Sequence, residues 1–277
     1  MENLIAQIGI FIFGTIIGSF LNVVILRYSE KSLTGRSECV NCHKKLNWYE
    51  LIPIISFLIQ GGKCLKCKKN ISWQYPLVEL STALLFLFGY KIYFLEKYSQ
   101  LTLDFLSIFD LFSLWLIFSL LIIIFVYDLY HKLIPDLWVF LLAFIALIRL
   151  FTINFQGFGL LSFFWAGFIL AFPFVFLWII SKGEWLGLGD AKLVIGIGWF
   201  LGLVKGSSAI ILGIWMGAII GLFLVFLTKI NNIKRLSFLS KNFTIKSELP
   251  FAPFLIIGTL LVFFFGWDVW GLSLILK

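Results

Sequence analysis

The chain has 277 residues, of which 61% are hydrophobic and only 13% charged, with a mean hydropathy of +1.04. Ordinary soluble chains run near half apolar and a quarter charged, so composition excludes a soluble globular fold and points to a polytopic membrane protein. The net charge of +8 could suggest nucleic acid, but its placement argues for topology instead. Seventeen of the 22 Lys and Arg fall in the segments 27–76, 128–136, 181–192 and 228–250. By the positive-inside rule these face the cytoplasm.

A spanning helix needs about 20 mostly apolar residues. Eight such stretches are read here, at 4–26, 77–95, 108–127, 137–153, 160–180, 185–204, 208–227 and 251–273. The first lacks a basic leading region, carries Glu2 and runs on without a small-residue cleavage site, so it is expected to stay as a helix. Both chain ends then lie outside. The expected fold is all-α, with about eight transmembrane helices and a small cytoplasmic zinc-ribbon-like domain between the first two.

That domain, residues 27–76, is the one sizeable polar segment and holds all four cysteines, Cys39-x2-Cys42 and Cys64-x2-Cys67. Two such knuckles have the spacing of a four-thiolate zinc site, which is closed and structural. So short a segment builds little core, and a metal would supply the missing stability. A pair of disulfides or four free thiols are the alternatives, and disulfides are disfavoured in a reducing compartment. His43 reads as a surface residue. Between the knuckles, Trp48 to Leu58 is aromatic and amphipathic. It either lies along the lipid headgroups or packs as the domain's own core. Glu79, near the start of the second span, could contact a basic substrate segment, snorkel, or pair with a lysine.

Further along, Asp128 closes the apolar run 108–127, and Asp136 follows Pro135 at the start of the next span, where an N-cap role is expected. His131, three residues after Asp128, could hydrogen-bond it, although paired-acid chemistry leaves it no necessary job. Pro173 should kink the fifth span. Asp190 ends Gly187-Leu188-Gly189-Asp190. After Lys192 only 12 apolar residues precede Lys205, about 18 Å of helix. To cross, that helix must draw in residues back to about Trp185, which carries Asp190 below the cytoplasmic surface. Lys192 can snorkel out; a short Asp cannot. The loop 229–248 reads either as a basic amphipathic helix on lipid or as an unstructured positive loop.

Carboxylates cost free energy in hydrocarbon, so Asp128 and Asp190 are candidate catalytic residues by their depth. Singly, each could be a helix cap or an interfacial residue. As a close pair they cannot both ionise, and they would share one proton, as the acids of aspartic proteases do.

These residues bring a family into view. Gly18-Ser19-Phe20-Leu21-Asn22, the two cysteine knuckles, Gly62-Lys63-Cys64, Tyr75-Pro76-Leu77-Val78-Glu79, Asp128 through Pro135-Asp136, and Gly187-Leu188-Gly189-Asp190-Ala191-Lys192 occur in that order along nearly the whole chain. In this the chain resembles the type IV prepilin leader peptidase/N-methyltransferase family of GxGD intramembrane aspartic proteases. Val40 and Gln74 stand where many members have proline and arginine. The resemblance implies cleavage of the basic leader of type IV prepilins or pseudopilins after a glycine, at the cytoplasmic face of the bacterial inner membrane. It maps the two catalytic acids onto Asp128 and Asp190. It also implies N-methylation of the new amino terminus with S-adenosylmethionine, an activity tied to the region of Gly62; no glycine-rich motif for that cofactor is visible. On this reading the domains are the first helix (1–26), the four-cysteine domain (27–76) and the peptidase domain (77–277). The partners are prepilin substrates and the lipid bilayer, not nucleic acid. A peptidase without methyltransferase activity, an ion-coupled transporter with intramembrane acids, and a non-catalytic zinc-ribbon scaffold are the alternatives. A transporter would place related acids in two inverted halves near mid-bilayer, and no second half is evident.

Overall fold

A computed structural model describes residues 2–28, 35–92, 105–153, 160–230 and 250–270. Among these the structure is helical, with β-structure limited to two isolated bridges, Glu38 with Lys45 and Lys63 with Asn70. The chain forms two compact units, residues 1–123 and 124–277. Helix α4 (Phe105–His131) runs through the boundary and ends in the second unit.

The first unit contains α1 (Glu2–Arg27), a 3-10 turn (Trp48–Leu51), α2 (Ile55–Ile59), α3 (Gln74–Lys91) and the start of α4. Helices α1 and α3 pack antiparallel, Gly14 facing Ala83 and Gly18 facing Glu79. Contact is close because a Cβ on either glycine would lie 2.6 Å from the opposite Cα. The Asn22 side chain donates to the Tyr75 carbonyl at 3.2 Å and the Gly18 carbonyl at 3.3 Å. The Gly18–Asn22 and Tyr75–Glu79 motifs therefore lock two helices together. The Phe86 and Trp115 rings stack at 5.0 Å, and the Trp115 indole donates to the Phe86 carbonyl at 3.1 Å.

In the cysteine segment, buried Glu50 organises the 3-10 turn. Its carboxylate accepts the Asn47 backbone N–H at 2.9 Å and the Lys44 ammonium at 2.9 and 3.1 Å. The Asn47 amide first, with Lys44 adding to it, holds the Glu50 carboxyl below its ordinary range.

The second unit contains the end of α4, α5 (Asp136–Ile153), α6 (Leu160–Ser181), α7 (Leu188–Ile230) and α8 (Ala252–Phe265). Helix α7 is broken at Gly202, whose φ of 78° and ψ of −176° lie in a region essentially reserved for glycine. A Cβ at Gly206 would sit 3.7 Å from the Gly198 Cα, whereas a straight helix separates residues eight apart by about 12 Å. The chain therefore folds back at Gly202 into two halves, 188–201 and 203–230. The first packs on α6 where Gly167 meets Gly198, and the second on α8 where Gly213 meets Leu255.

Each of the eight apolar stretches read from the sequence contains a helix in its described part, with the two at 185–204 and 208–227 joined as the halves of α7. Among the described residues four stretches are long and apolar enough to cross a membrane: Leu4–Arg27, Phe105–His131, Leu161–Ser181 and Leu188–Phe226. Several bounds move. Helix α4 continues to His131, so Asp128 lies within it and not at its edge. Helix α7 begins at Leu188, leaving Trp185 outside and exposed. Helix α8 stops at Phe265, where Gly266 turns left-handed and donates its N–H to the Val262 carbonyl. Helix α6 runs through Pro173 without a break. The segment 231–249, which contains nearly all of the basic loop, and residues 93–95 and 271–273 lie outside the described residues.

Two outcomes follow. Gly202→Ala adds a methyl group against the Phe163 ring at a positive φ, and strain of this kind costs on the order of 1–3 kcal/mol; the purified protein should melt at lower temperature in detergent. Glu50 has a depressed carboxyl in the folded state, so its stabilisation is complete above the unfolded carboxylate range near pH 4.3 and is lost as pH falls through the lower folded value. Protease resistance of residues 35–76 should accordingly fall in acid. Glu50→Gln should remove the part of that pH dependence due to Glu50.

Candidate active site

Four helix ends gather around the acids of the second unit. Asp128 is near the end of α4, 4% exposed, and Asp190 is in the first turn of α7, 7% exposed. Asp190 lies within electrostatic reach of Asp128. The Asp128 Oδ2 accepts the backbone N–H of Ala252 at 3.2 Å, the first amide of α8. In Pro250-Phe251-Ala252-Pro253 the prolines have no N–H to give, and Ala252 supplies the donor. The sequence held this signal only as a proline pair ahead of an apolar run, and nothing local linked it to an acid more than a hundred residues earlier.

Asp190 is held by its own turn, its N–H donating to the Gly187 carbonyl at 3.2 Å. It is therefore a residue of the first turn and not the helix cap. Gly189 lets that turn approach the α4–α5 connection, since a Cβ there would lie 2.9 Å from the Ile134 Cβ. The same connection is tied a second time. The Lys192 ammonium meets the Asp136 carboxylate at 2.7 Å and lies 5.4 Å from the centre of the Phe140 ring. Lys192 thus pairs with Asp136 and does not simply snorkel, and the Asp136 carboxylate serves that ion pair at the first residue of α5. His131 is exposed and stacks on Tyr127 at 4.3 Å between ring centres.

A second cluster belongs to the first unit. The Sγ atoms of Cys39, Cys42, Cys64 and Cys67 all lie within 4.8 Å of one another, with Cys39 to Cys67 at 3.9 Å and Cys42 to Cys64 at 4.0 Å. Four thiolates at 2.3 Å around a tetrahedral ion stand about 3.8 Å apart, so these donors fit zinc, whereas a disulfide needs about 2.05 Å. All four thiols are free. The two knuckles share one turn. The N–H of Cys39 and of Cys64 donates to the carbonyl of Lys44 and of Lys69, and their carbonyls accept from His43 and Lys68. His43 and Lys68 are both left-handed, at φ 51° and 60°. Backbone N–H groups of Cys67 and Lys66 pull the Cys64 thiol down to about 6. At Cys42 the pull of the Lys44 backbone N–H is outweighed by burial and the neighbouring sulfurs, which push that thiol up to about 11. Without a metal the cluster therefore favours the thiolate at Cys64 and the thiol at Cys42. His43 is exposed beside Glu38 at 3.4 Å. Gly62 has φ 67° and its N–H donates to the Phe57 carbonyl, closing α2.

Glu79, expected near the start of the second span to touch a basic substrate segment, snorkel or pair with a lysine, is given a backbone partner instead of a lysine among the described residues. It is buried, and its Oε2 accepts the Ile54 backbone N–H at 2.7 Å.

Comparison with known proteins finds two matching regions and several relatives. Residues 12–93 match the bacterial peptidase A24 N-terminal domain, and residues 115–222 match the type IV leader peptidase family. The four cysteines fall in the first match and both acids in the second. A prepilin leader peptidase/N-methyltransferase of Bacillus subtilis is 33% identical over 93% of this chain and 93% of its own length. Proteins of the same name are 33% identical in Vibrio cholerae, over 68% of this chain and 74% of the relative, and 29% identical in Pseudomonas aeruginosa, over 93% and 88%. No solved structure matches. Similarity this extensive, with both domains in order along one sequence, means that the chain belongs to the type IV leader peptidase family.

Proposed function

We propose that this chain is a membrane-embedded aspartic endopeptidase that removes the basic leader of type IV prepilins or pseudopilins after a glycine, and that it methylates the amino terminus so exposed. The observation that carries the reading is the pair of buried carboxylates, Asp128 and Asp190, within electrostatic reach of one another in the region that matches the leader peptidase family.

Two neighbouring carboxylates hold one proton between them. The ionised member takes a proton from a water molecule as its oxygen attacks the scissile carbonyl carbon, while the protonated member donates to the carbonyl oxygen. When the carbon–nitrogen bond breaks, a proton passes to the leaving amine and the pair is ready for another cycle. The titration belongs to the pair as a unit. The amide of Ala252 orients one carboxylate, and the Asp136–Lys192 ion pair with the Gly189–Ile134 contact holds the segments bearing the two acids in register.

For the second activity, S-adenosylmethionine when bound would supply the methyl group to the new amine. The names of the relatives support this activity; no residue of this chain is assigned to the methyl donor. Cys39, Cys42, Cys64 and Cys67 would hold a structural zinc ion, four ligands leaving no open position for chemistry.

The working topology has eight spans in the inner membrane, the two halves of α7 counting separately. Residues 27–76 form the cytoplasmic metal domain, and residues 77–277 the peptidase domain. The distribution of Lys and Arg supports a cytoplasmic position for both acids. The first half of α7 has about 21 Å of length, short of a hydrocarbon layer of about 30 Å, which supports Asp190 lying below the membrane surface.

Incubation of the purified protein with a prepilin and labelled S-adenosylmethionine tests both activities. The product should begin one residue after the leader glycine and carry label on its first amine. Cleavage without label would make the chain a peptidase only, and an intact prepilin would overturn the assignment. Asp128→Asn and Asp190→Asn should each lower cleavage by at least about 10²-fold while the protein still inserts. Metal analysis should find one zinc per chain, reduced in Cys64→Ser together with the protease resistance of residues 35–76.

A further inference from the structure

Helix α2 is one turn and a half long, yet its two faces differ sharply. Phe57 is 8% exposed and packs inward, while Leu58 and Ile59 are 68% and 81% exposed, and Ile55 joins them on the outer face. The spacing i, i+3, i+4 puts these three on one side. The domain's own core is therefore not their destination.

The position of α2 along the membrane helices is fixed by Glu79. Its carboxylate accepts the Ile54 N–H at 2.7 Å. Ile54 has φ 59° and ψ −51°, a conformation that is an outlier for a β-branched residue and persists only where its surroundings impose it. Glu79 is about 7 Å along α3 from its first residue, and its Cα faces Gly18, well inside α1. The start of α2 is thus held beside the apolar part of the α1–α3 pair, and not above its ends. An apolar strip runs on from there. The Trp73 ring packs on Phe57 at 5.0 Å between centres, and Trp73 and Leu77 are exposed one turn apart at the start of α3.

We infer that the outer face of α2, with Trp73, is a monotopic membrane contact that seats the cysteine domain in the headgroup–acyl boundary of the phospholipid bilayer. Its occupant is lipid because the strip is continuous with the exposed apolar face of a spanning pair, and Trp is a residue of that boundary. A site so anchored would keep the metal domain against the membrane surface while its knuckles stay in water. The inference rests on α1 crossing the bilayer and is independent of the peptidase assignment.

The test uses the full chain in vesicles of phosphatidylethanolamine and phosphatidylglycerol. The photo-cross-linking amino acid p-benzoylphenylalanine replaces Leu58, Ile59 or, as a lipid-facing control on α1, Phe20, and adducts are identified by mass spectrometry. Lipid adducts at Leu58 and Ile59, comparable in yield to those at Phe20, are the expected result. A dominant adduct to a second copy or to added prepilin, or none where Phe20 labels, would overturn the contact. Failure at all three positions would overturn the spanning of α1 and the contact with it. In a second measurement, Glu79→Ala should lower the lipid adducts at Leu58 several-fold while Phe20 labels as before. Unchanged labelling at Leu58 would overturn the anchoring role of Glu79.

Discussion

A carboxylate in an apolar layer must find something to hold its charge or its proton, and the second unit is built around that requirement twice over. Asp128 and Asp190 are buried where water would ordinarily solvate them. The amide of Ala252 replaces some of that water at Asp128, while each acid's charge makes the other harder to ionise. Removing an acid from solvent without a partner costs several kcal/mol, so the surrounding helices must keep these groups in place in every folded molecule.

That demand explains several features that look unrelated in the sequence. The Gly202 reversal brings the second half of α7 back along the first, where it can pack on α8. Helix α8 then starts where its first amide reaches Asp128. Lys192 and Asp136 tie the start of α7 to the start of α5, and Gly189 allows backbone approach at the same place. Each contact is modest, and an exposed ion pair contributes about 0–1 kcal/mol. Their value lies in position, because the proton transfer proposed for the two acids would be sensitive to small displacements of the segments that carry them.

The first unit solves a different problem. A segment of about fifty residues has too little core to hold itself; the Glu50 carboxylate fastens it under the 3-10 turn and the Glu79 carboxylate at Ile54, and the four sulfur atoms would add a third fastening with a metal bound. Both shown fastenings are acids that accept backbone N–H groups. Burial alone does not separate such structural acids from the pair proposed for catalysis: Glu50 and Glu79 are as buried as Asp128 and Asp190.

Much of this was legible in the residues. Apolar runs of spanning length give helices, because a backbone in hydrocarbon must satisfy its own hydrogen bonds. Paired CxxC knuckles give a four-sulfur cluster, since short-range turns set the spacing. The order of motifs identified the family and singled out Asp128 and Asp190. What the sequence by itself did not contain were the pairings between distant segments: Ala252 with Asp128, Lys192 with Asp136, and Glu79 with Ile54. Only the tertiary structure decided these, because a side chain chooses its partner among whatever groups folding brings within about 3 Å, and no local periodicity encodes which they will be.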